Sequence, residues 1–222
     1  MNRTPLLLLG GGGHCAAVID VIEATDAYEI VGIIESPESQ TDCVLGYPVI
    51  GTDDDLPYWV QKIPACLITV GQLKSSAVRR RLFQQVLDLG GHFPSVVSPF
   101  AKVAASAIIG DGTVVMHHAL VNPLAEIGAN SIINSKALVE HDVRIGAHCH
   151  IATGALLNGG VTVGDDCLIG SGSVVLQSMQ ITEKTVIGAG AVVVKDITES
   201  GVYIGQPAAR HLKMEQEIKW RS

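Results

Sequence analysis

The sequence predicts two unlike halves: a small α/β domain with a Rossmann-like parallel sheet over residues 1–98, then a parallel β-helix over residues 99–222. Three observations predict them. Apolar runs alternate with helical patterns through the first hundred residues, a six-residue aliphatic period runs unbroken from Val103 to Val193, and the composition is poor in rings but rich in small residues. With aromatics at 4% and 24 glycines among 222 residues, short stacked strands are favoured over a bundle packed on large side chains.

In the first half, residues 6–9 read as a strand, 16–24 as a helix and 29–34 as a second strand. Residues 65–70 form a third strand, 75–89 a long amphipathic helix and 93–97 a short last strand. Strands separated by helices of this length imply βαβ units and a small parallel sheet.

From Val103 a step of six meets Ile109, Val115, Val121, Ile127 and Ile133, and so on to Val193; every residue met is aliphatic, and all but Leu157 are β-branched. A small side chain such as Ala107, Ala119, Ala137 or Ala155 mostly follows four residues later, and glycine often follows at once, as at Gly110, Gly128, Gly146 and Gly164. This is a hexapeptide repeat. Three hexads close one triangular coil, about five coils in all, with the aliphatic residues inside, small residues and glycines at the corners, and small outward residues free to pack on a neighbour. A period of 3.6 would scatter the same aliphatics over every face of a helix.

The formal net charge of −7 argues against a nucleic-acid partner, which requires a basic surface. The early apolar run at 6–9 is too short for a signal-peptide core or a membrane span. The five cysteines show no CxxC spacing, so free thiols in a cytoplasmic protein are expected.

The glycine turn Gly10-Gly11-Gly12-Gly13-His14 follows a strand and opens a helix, so its N–H groups and the helix dipole suit a phosphate. As a dinucleotide fingerprint it is weak, because Cys15 stands where the last glycine of GxGxxG belongs. The cations Arg79, Arg80 and Arg81 read as a solvated helix face.

The hexads, the glycine turn, the segment Val139-Glu140-His141-Asp142 and the closing Gly205-Gln206-Pro207-Ala208-Ala209-Arg210 together resemble one bacterial family. It contains the sialic-acid O-acetyltransferases and the N-acetyltransferases of nucleotide-linked amino sugars, and the resemblance covers nearly the whole chain. It implies a left-handed coil, a homotrimer with active sites between adjacent β-helices, acetyl-CoA as co-substrate, and a nucleotide sugar as acceptor for cell-surface glycan synthesis. N-acetylation of a 4-amino-4,6-dideoxy-sugar is the first reading and O-acetylation of sialic acid the second; no metal is expected.

Transfer from a thioester needs a base, donors for the oxyanion and correct placement. The resemblance implies His141 as base, with Asp142 orienting its ring and Glu140 as the alternative. It implies Gly159, eighteen residues on, as backbone donor to the oxyanion; the other reading is a corner glycine with unusual dihedrals. Gly12, Gly13, His14, Glu35, Gly71, Gln72 and Asn134 are implied for the nucleotide sugar, although Ser36 stands where the family often has a second acid. His150 is implied near the acetyl group, or is an interface histidine. Gly170, Ser171, Gly188 and Ala189 are implied for coenzyme A, with Pro207 and Arg210 at its nucleotide end; Arg210 is a phosphate partner or a solvated cation. Residues 210–220 read as a charged terminal helix. Two competing readings are a zinc enzyme using several of His117, His118, His141, His148 and His150, which lack that family's four-residue gap, and an inert scaffold, which needs neither His141 nor a glycine turn.

Overall fold

A computed structural model describes residues 3–73 and 75–211 of the chain. The expected terminal helix therefore lies outside the described residues, save that Arg210 belongs to a short strand, Ala209–Arg210, paired with Val202–Ile204.

The first half is a five-stranded sheet: β1 (Thr4–Leu9), β2 (Tyr28–Glu35), β3 (Cys43–Val44), β4 (Tyr47–Thr52) and β5 (Cys66–Ile68), in the order β3-β4-β2-β1-β5. All neighbours run parallel except the β3–β4 edge pair. The four leucines of β1 are essentially fully buried because this central strand is covered on both faces. Helix α1 (Gly13–Thr25) packs on one face, and α2 (Leu56–Lys62) with α3 (Ala77–Asp88) on the other. The sequence reading missed β3, β4 and α2, where Pro48, Gly46 and Gly51 and the acidic run Asp53–Asp55 break up the apolar pattern.

The strand expected to close this sheet does not. Val96–Val97 pairs instead with Val114–Val115 and is the first rung of the coil, one hexad before the period was recognised. From there the chain winds as a left-handed parallel β-helix with two-residue rungs in three sheets of eight, six and five strands. Rungs stack in register every eighteen residues, as in Ile133 on Ile151 on Ile169 on Ile187. The inward aliphatics are partly buried at Val97, Val103 and Ile109 and buried from Val115 onward, each buried one stabilising the coil by roughly 1.5–3 kcal/mol.

The corners correct two expectations. The small residues point inward rather than outward, with Ala119, Ala125, Ala137 and Ala155 all buried in the prism. From Ile109 to Ile187 the turn itself is made three residues after each inward aliphatic by a residue of positive φ, most often not glycine: His118, Asn130, Lys136, Asp142, His148 and Asp166 all adopt it. Glycine directly after the rung serves close stacking, since a Cβ on Gly128 would lie 2.5 Å from the Gly146 carbonyl carbon of the next coil.

The three outer faces differ. The eight-stranded face, carrying Val96, Val114, Ile132, His150 and Leu168 outward, is buried under the N-terminal half. The five-stranded face presents Glu126, Arg144, Thr162 and Gln180 to solvent. The six-stranded face carries a column of Leu120, Leu138, Leu156, Val174 and Val192, all partly exposed. Among the described residues no helix is long and apolar enough to cross a membrane.

Candidate active site

Two places in the molecule carry chemistry. The first is the corner between the six- and five-stranded faces, directly after the rung Leu138–Val139. Asp142 takes the positive φ of 59° there, a conformation aspartate tolerates, and this folds its carboxylate back onto the preceding ring. His141 Nδ1 lies 2.7 Å from Asp142 Oδ2, and both side chains are exposed, at 63% and 57%. With Nδ1 donating its proton to the carboxylate, Nε2 is left as a lone pair turned away from it. Glu140, the alternative orienting acid, is occupied otherwise: its Oε2 accepts from Asn122 Nδ2 at 2.8 Å and from the His141 N–H at 3.3 Å.

Gly159 stacks one coil along from His141, and a Cβ there would lie 2.7 Å from both Cε1 and Nε2 of the ring. The glycine is therefore required by the imidazole above it. The positive φ belongs to its neighbour Gly160, so the reading of Gly159 as a corner glycine with unusual dihedrals is corrected. Its own N–H donates no hydrogen bond among the described residues.

The second place lies at the carboxyl ends of β1, β2 and β5, where the connections from the adjacent strands β1 and β5 leave towards opposite faces of the sheet, the position at which open α/β sheets receive ligands. A cavity of about 630 Å³ is lined there by the turn 10–14, Glu35, residues 70–73, Asn134 and His150. Every residue implied for the nucleotide sugar thus meets in one cavity, together with His150, whereas Gly170, Ser171, Gly188 and Ala189 stand outside it. Gly12 and Gly13 are exposed, and a Cβ on either would meet no atom of the chain within 4 Å; their bareness serves no packing need inside the protein. Cys15 is fully buried in the core against α1's neighbours.

Glu35 is turned onto the backbone, its two oxygens accepting the N–H groups of Gly11 and, at 2.8 Å, Ser36. The His150 Nδ1 lies 2.8 Å from the Gln72 carbonyl, so it carries the proton, and Nε2 accepts from Asn134 Nδ2 at 3.0 Å. Asn134 Oδ1 in turn accepts from the Ser135 N–H at 2.7 Å. Burial, opposed by that carbonyl and aided by the Arg79 charge, pulls His150 down to about 4. Burial, with the charges of Arg79 and His150 adding, pulls His14 down to about 3. Both rings are neutral at physiological pH, so His14 can hydrogen-bond a phosphate or a base but brings no positive charge. Its Nε2 and the Oε1 of Gln72 are buried without a hydrogen-bond partner among the described residues.

The residues implied for coenzyme A sit at the corner that follows the eight-stranded face. Gly170 and Gly188 have their N–H groups consumed in the coil ladder, by the carbonyls of Ile187 and Tyr203. Ser171 and Ala189 are exposed, stack one coil apart, and donate no N–H bond among the described residues, so these two can receive a carbonyl of the pantetheine arm. Pro207 is exposed nearby, and Arg210 is exposed and ion-paired with Glu199 at 2.6 Å.

Arg79 corrects the reading of the three arginines as a solvated face. Arg80 and Arg81 are half-exposed and paired with Asp166 and Asp53, but Arg79 is fully buried between the two halves of the molecule. The signal was present: Arg79, Leu82 and Val86 follow the i, i+3, i+7 pattern and are the buried residues of α3. The remaining histidines are held separately, His117 between Ser98 and Asp20, and His148 against Asn130 and Phe83.

Residues 5–86 match the PglD N-terminal domain, and residues 125–159 the bacterial transferase hexapeptide family of six repeats. The chain is similar to the acetyltransferase domain of PglB from Neisseria gonorrhoeae FA1090, with 32% identity, a TM-score of 0.86, and coverage of 94% of this chain and 100% of that one. The same domain has been solved with acetyl coenzyme A, at 31% identity and a TM-score of 0.84 over 95% and 100% of the two chains. PerB from Caulobacter crescentus, solved with CoA and GDP-perosamine, is 32% identical with a TM-score of 0.85 over 92% of this chain and 96% of that one. No curated protein sequence matches. By fold and by sequence, the chain belongs to the family of hexapeptide-repeat acetyltransferases that carry a PglD N-terminal domain.

Proposed function

We propose that this protein transfers the acetyl group of acetyl-CoA to the amino group of a nucleotide-linked amino sugar, of the 4-amino-4,6-dideoxy type, in cell-surface glycan synthesis. The observation that carries the reading is the His141–Asp142 pair lying over Gly159, together with a glycine-lined cavity of nucleotide-sugar size elsewhere in a chain similar to enzymes solved with acetyl-CoA, CoA and GDP-perosamine.

The sugar amine attacks the thioester carbonyl while His141 Nε2 takes its proton, and Asp142 stabilises the imidazolium that forms. The Gly159 N–H meets the tetrahedral oxyanion. Collapse breaks the C–S bond, and the imidazolium returns the proton to the departing thiolate. Coenzyme A lies along the Ser171 and Ala189 corner, and the nucleotide sits in the cavity over Gly12 and Gly13.

Within one chain these parts lie on different corners of the prism. The cavity with Asn134, and the Ser171 and Ala189 column, adjoin one edge of the six-stranded face, and His141 stands on its other edge. The outward leucine and valine column makes that face apolar, and three such faces turned towards a common axis bring each His141 edge against the neighbour's cavity edge. A cyclic homotrimer closes the site in this way. The protein works in the cytoplasm, where acetyl-CoA and nucleotide sugars are made.

Thiol release from acetyl-CoA, measured with UDP-, GDP- and dTDP-linked amino sugars and with sialic acids, tests the reaction. Amino sugars are the expected acceptors; release with sialic acid alone, or with none, overturns it. Mixing inactive His141→Ala with inactive Asn134→Ala protein under subunit exchange should restore activity. No recovery from exchanged mixtures would mean that the site is not shared between copies.

A further inference from the structure

The Arg79 guanidinium is held by four neutral acceptors and no carboxylate among the described residues. Its Nη1 donates to the carbonyls of Ile68 at 3.2 Å and Val70 at 2.6 Å, where the chain leaves β5. Its Nη2 donates to the Asn130 carbonyl at 3.0 Å and side-chain oxygen at 2.7 Å, on a corner of the coil. Asn130 answers with Nδ2, which lies 3.3 Å from the Arg79 carbonyl and 2.9 Å from His148 Nδ1. One planar group thus ties α3, the segment after β5 and the coil together at full burial.

Burying a cation without a counter-ion is costly, and an aliphatic side chain would fill the same space more cheaply. The expense has a local return. Val70 is two residues before Gln72, whose carbonyl takes the His150 Nδ1 proton, and residues 70–73 form one wall of the cavity. The fork geometry, which lysine lacks, fixes where that wall stands relative to the coil that carries His150 and Asn134.

We propose that Arg79 is a positioning residue for the transfer: it clamps residues 70–72 to the coil so that the Gln72 carbonyl holds His150 protonated on Nδ1, with Nε2 and Asn134 set towards the acceptor sugar. The proposal rests on the function proposed above for its catalytic consequence, but the state of His150 can be read without turnover. Burial is the main reason that His14 and His150 stay neutral, and the Arg79 charge adds to it.

The test compares Arg79→Met, Arg79→Lys and Asn130→Gly, the last keeping a residue that accepts the positive φ of 52° at that corner. Nitrogen-15 NMR of the labelled imidazoles reads the His150 tautomer, and steady-state kinetics read kcat and KM for each substrate. In each folded variant the expected result is a mixed His150 tautomer. For Arg79→Met, kcat/KM for the nucleotide sugar should fall roughly 10- to 100-fold while KM for acetyl-CoA stays within about twofold. Lysine should rescue little of this, and Asn130→Gly should shift both readouts in the same direction by less. If Arg79→Met does not fold, Arg79→Lys and Asn130→Gly carry the test. An unchanged tautomer in the folded variants, full rescue by lysine, or equal loss of affinity for both substrates would overturn the proposal. A shifted tautomer in a protein that acetylates no sugar would support the clamp and defeat the function.

Discussion

His141 and His150 lie nine residues apart in sequence and are held by opposite means. His141 stands exposed on a coil corner, its ring oriented by the very next residue and seated on a glycine one coil along. His150 is 7% exposed, and its proton is set by a carbonyl seventy-eight residues away in the other half of the molecule. The coil places a side chain by repetition, because every rung inherits the register of the one before it. The junction places one by contacts that occur once: Arg79 with Asn130, Ser76 and Arg80 with Asp166, and Gln72 with Cys167 and His150. Exposed side chains at the coil corners can therefore be changed with little effect on the fold, whereas those at the junction cannot.

The sharpest way to break this contrast is His141→Ala. Turnover should fall by about 10²–10⁴, the range for a lost general base, while the thermal midpoint and CoA affinity stay as they were because the ring is exposed. Unchanged turnover would remove His141 as base; loss of the fold would remove the claim that coil corners are independent.

Gly159→Ala is the next largest. The new methyl occupies the place of the imidazole edge, so kcat should drop roughly ten- to a hundredfold through a misplaced base, with CoA dissociation constants unaltered. Wild-type kcat in a variant whose structure shows the ring unmoved would mean that the contact does not matter.

The smallest effect concerns the junction alone. His14 and His150 are neutral in the folded protein down to about 3 and about 4, whereas in the unfolded chain they take up protons near ~6.5. Between those limits the unfolded state binds more protons, so stability rises with pH there and is lost as pH falls from about 6.5 towards 4. Thermal midpoints followed from pH 7 to pH 5 should decline, and His150→Gln should flatten the decline relative to the wild-type protein. A slope for His150→Gln identical to that of the wild-type protein would show that the buried ring is not the linked group.

Much of this was legible in the residues. The six-step aliphatic row from Val103 to Val193 determined the coil, because a side chain inside a narrow prism must be apolar whatever surrounds it. The stacking of Gly159 on His141 was also legible, since an eighteen-residue step puts one a coil beyond the other, whereas the roles of these two and of Asp142 were implied only by the family resemblance. His150 left a trace too, as the polar member of an outward column that is otherwise Val96, Val114, Ile132 and Leu168. The elements β3, β4 and α2 were not legible, because prolines, glycines and acids interrupt their apolar pattern and tertiary packing completes them.

The sequence by itself determined the coil, its register and the column of residues that crosses each corner, because a repeat converts linear spacing directly into position. Only the tertiary structure decided that Arg79 is buried, that His150 draws its tautomer from Gln72, and that Gly170 and Gly188 spend their N–H groups on the ladder. Those facts depend on how a non-repeating sheet docks on a repeating coil, and no local pattern encodes a contact made between two different periods.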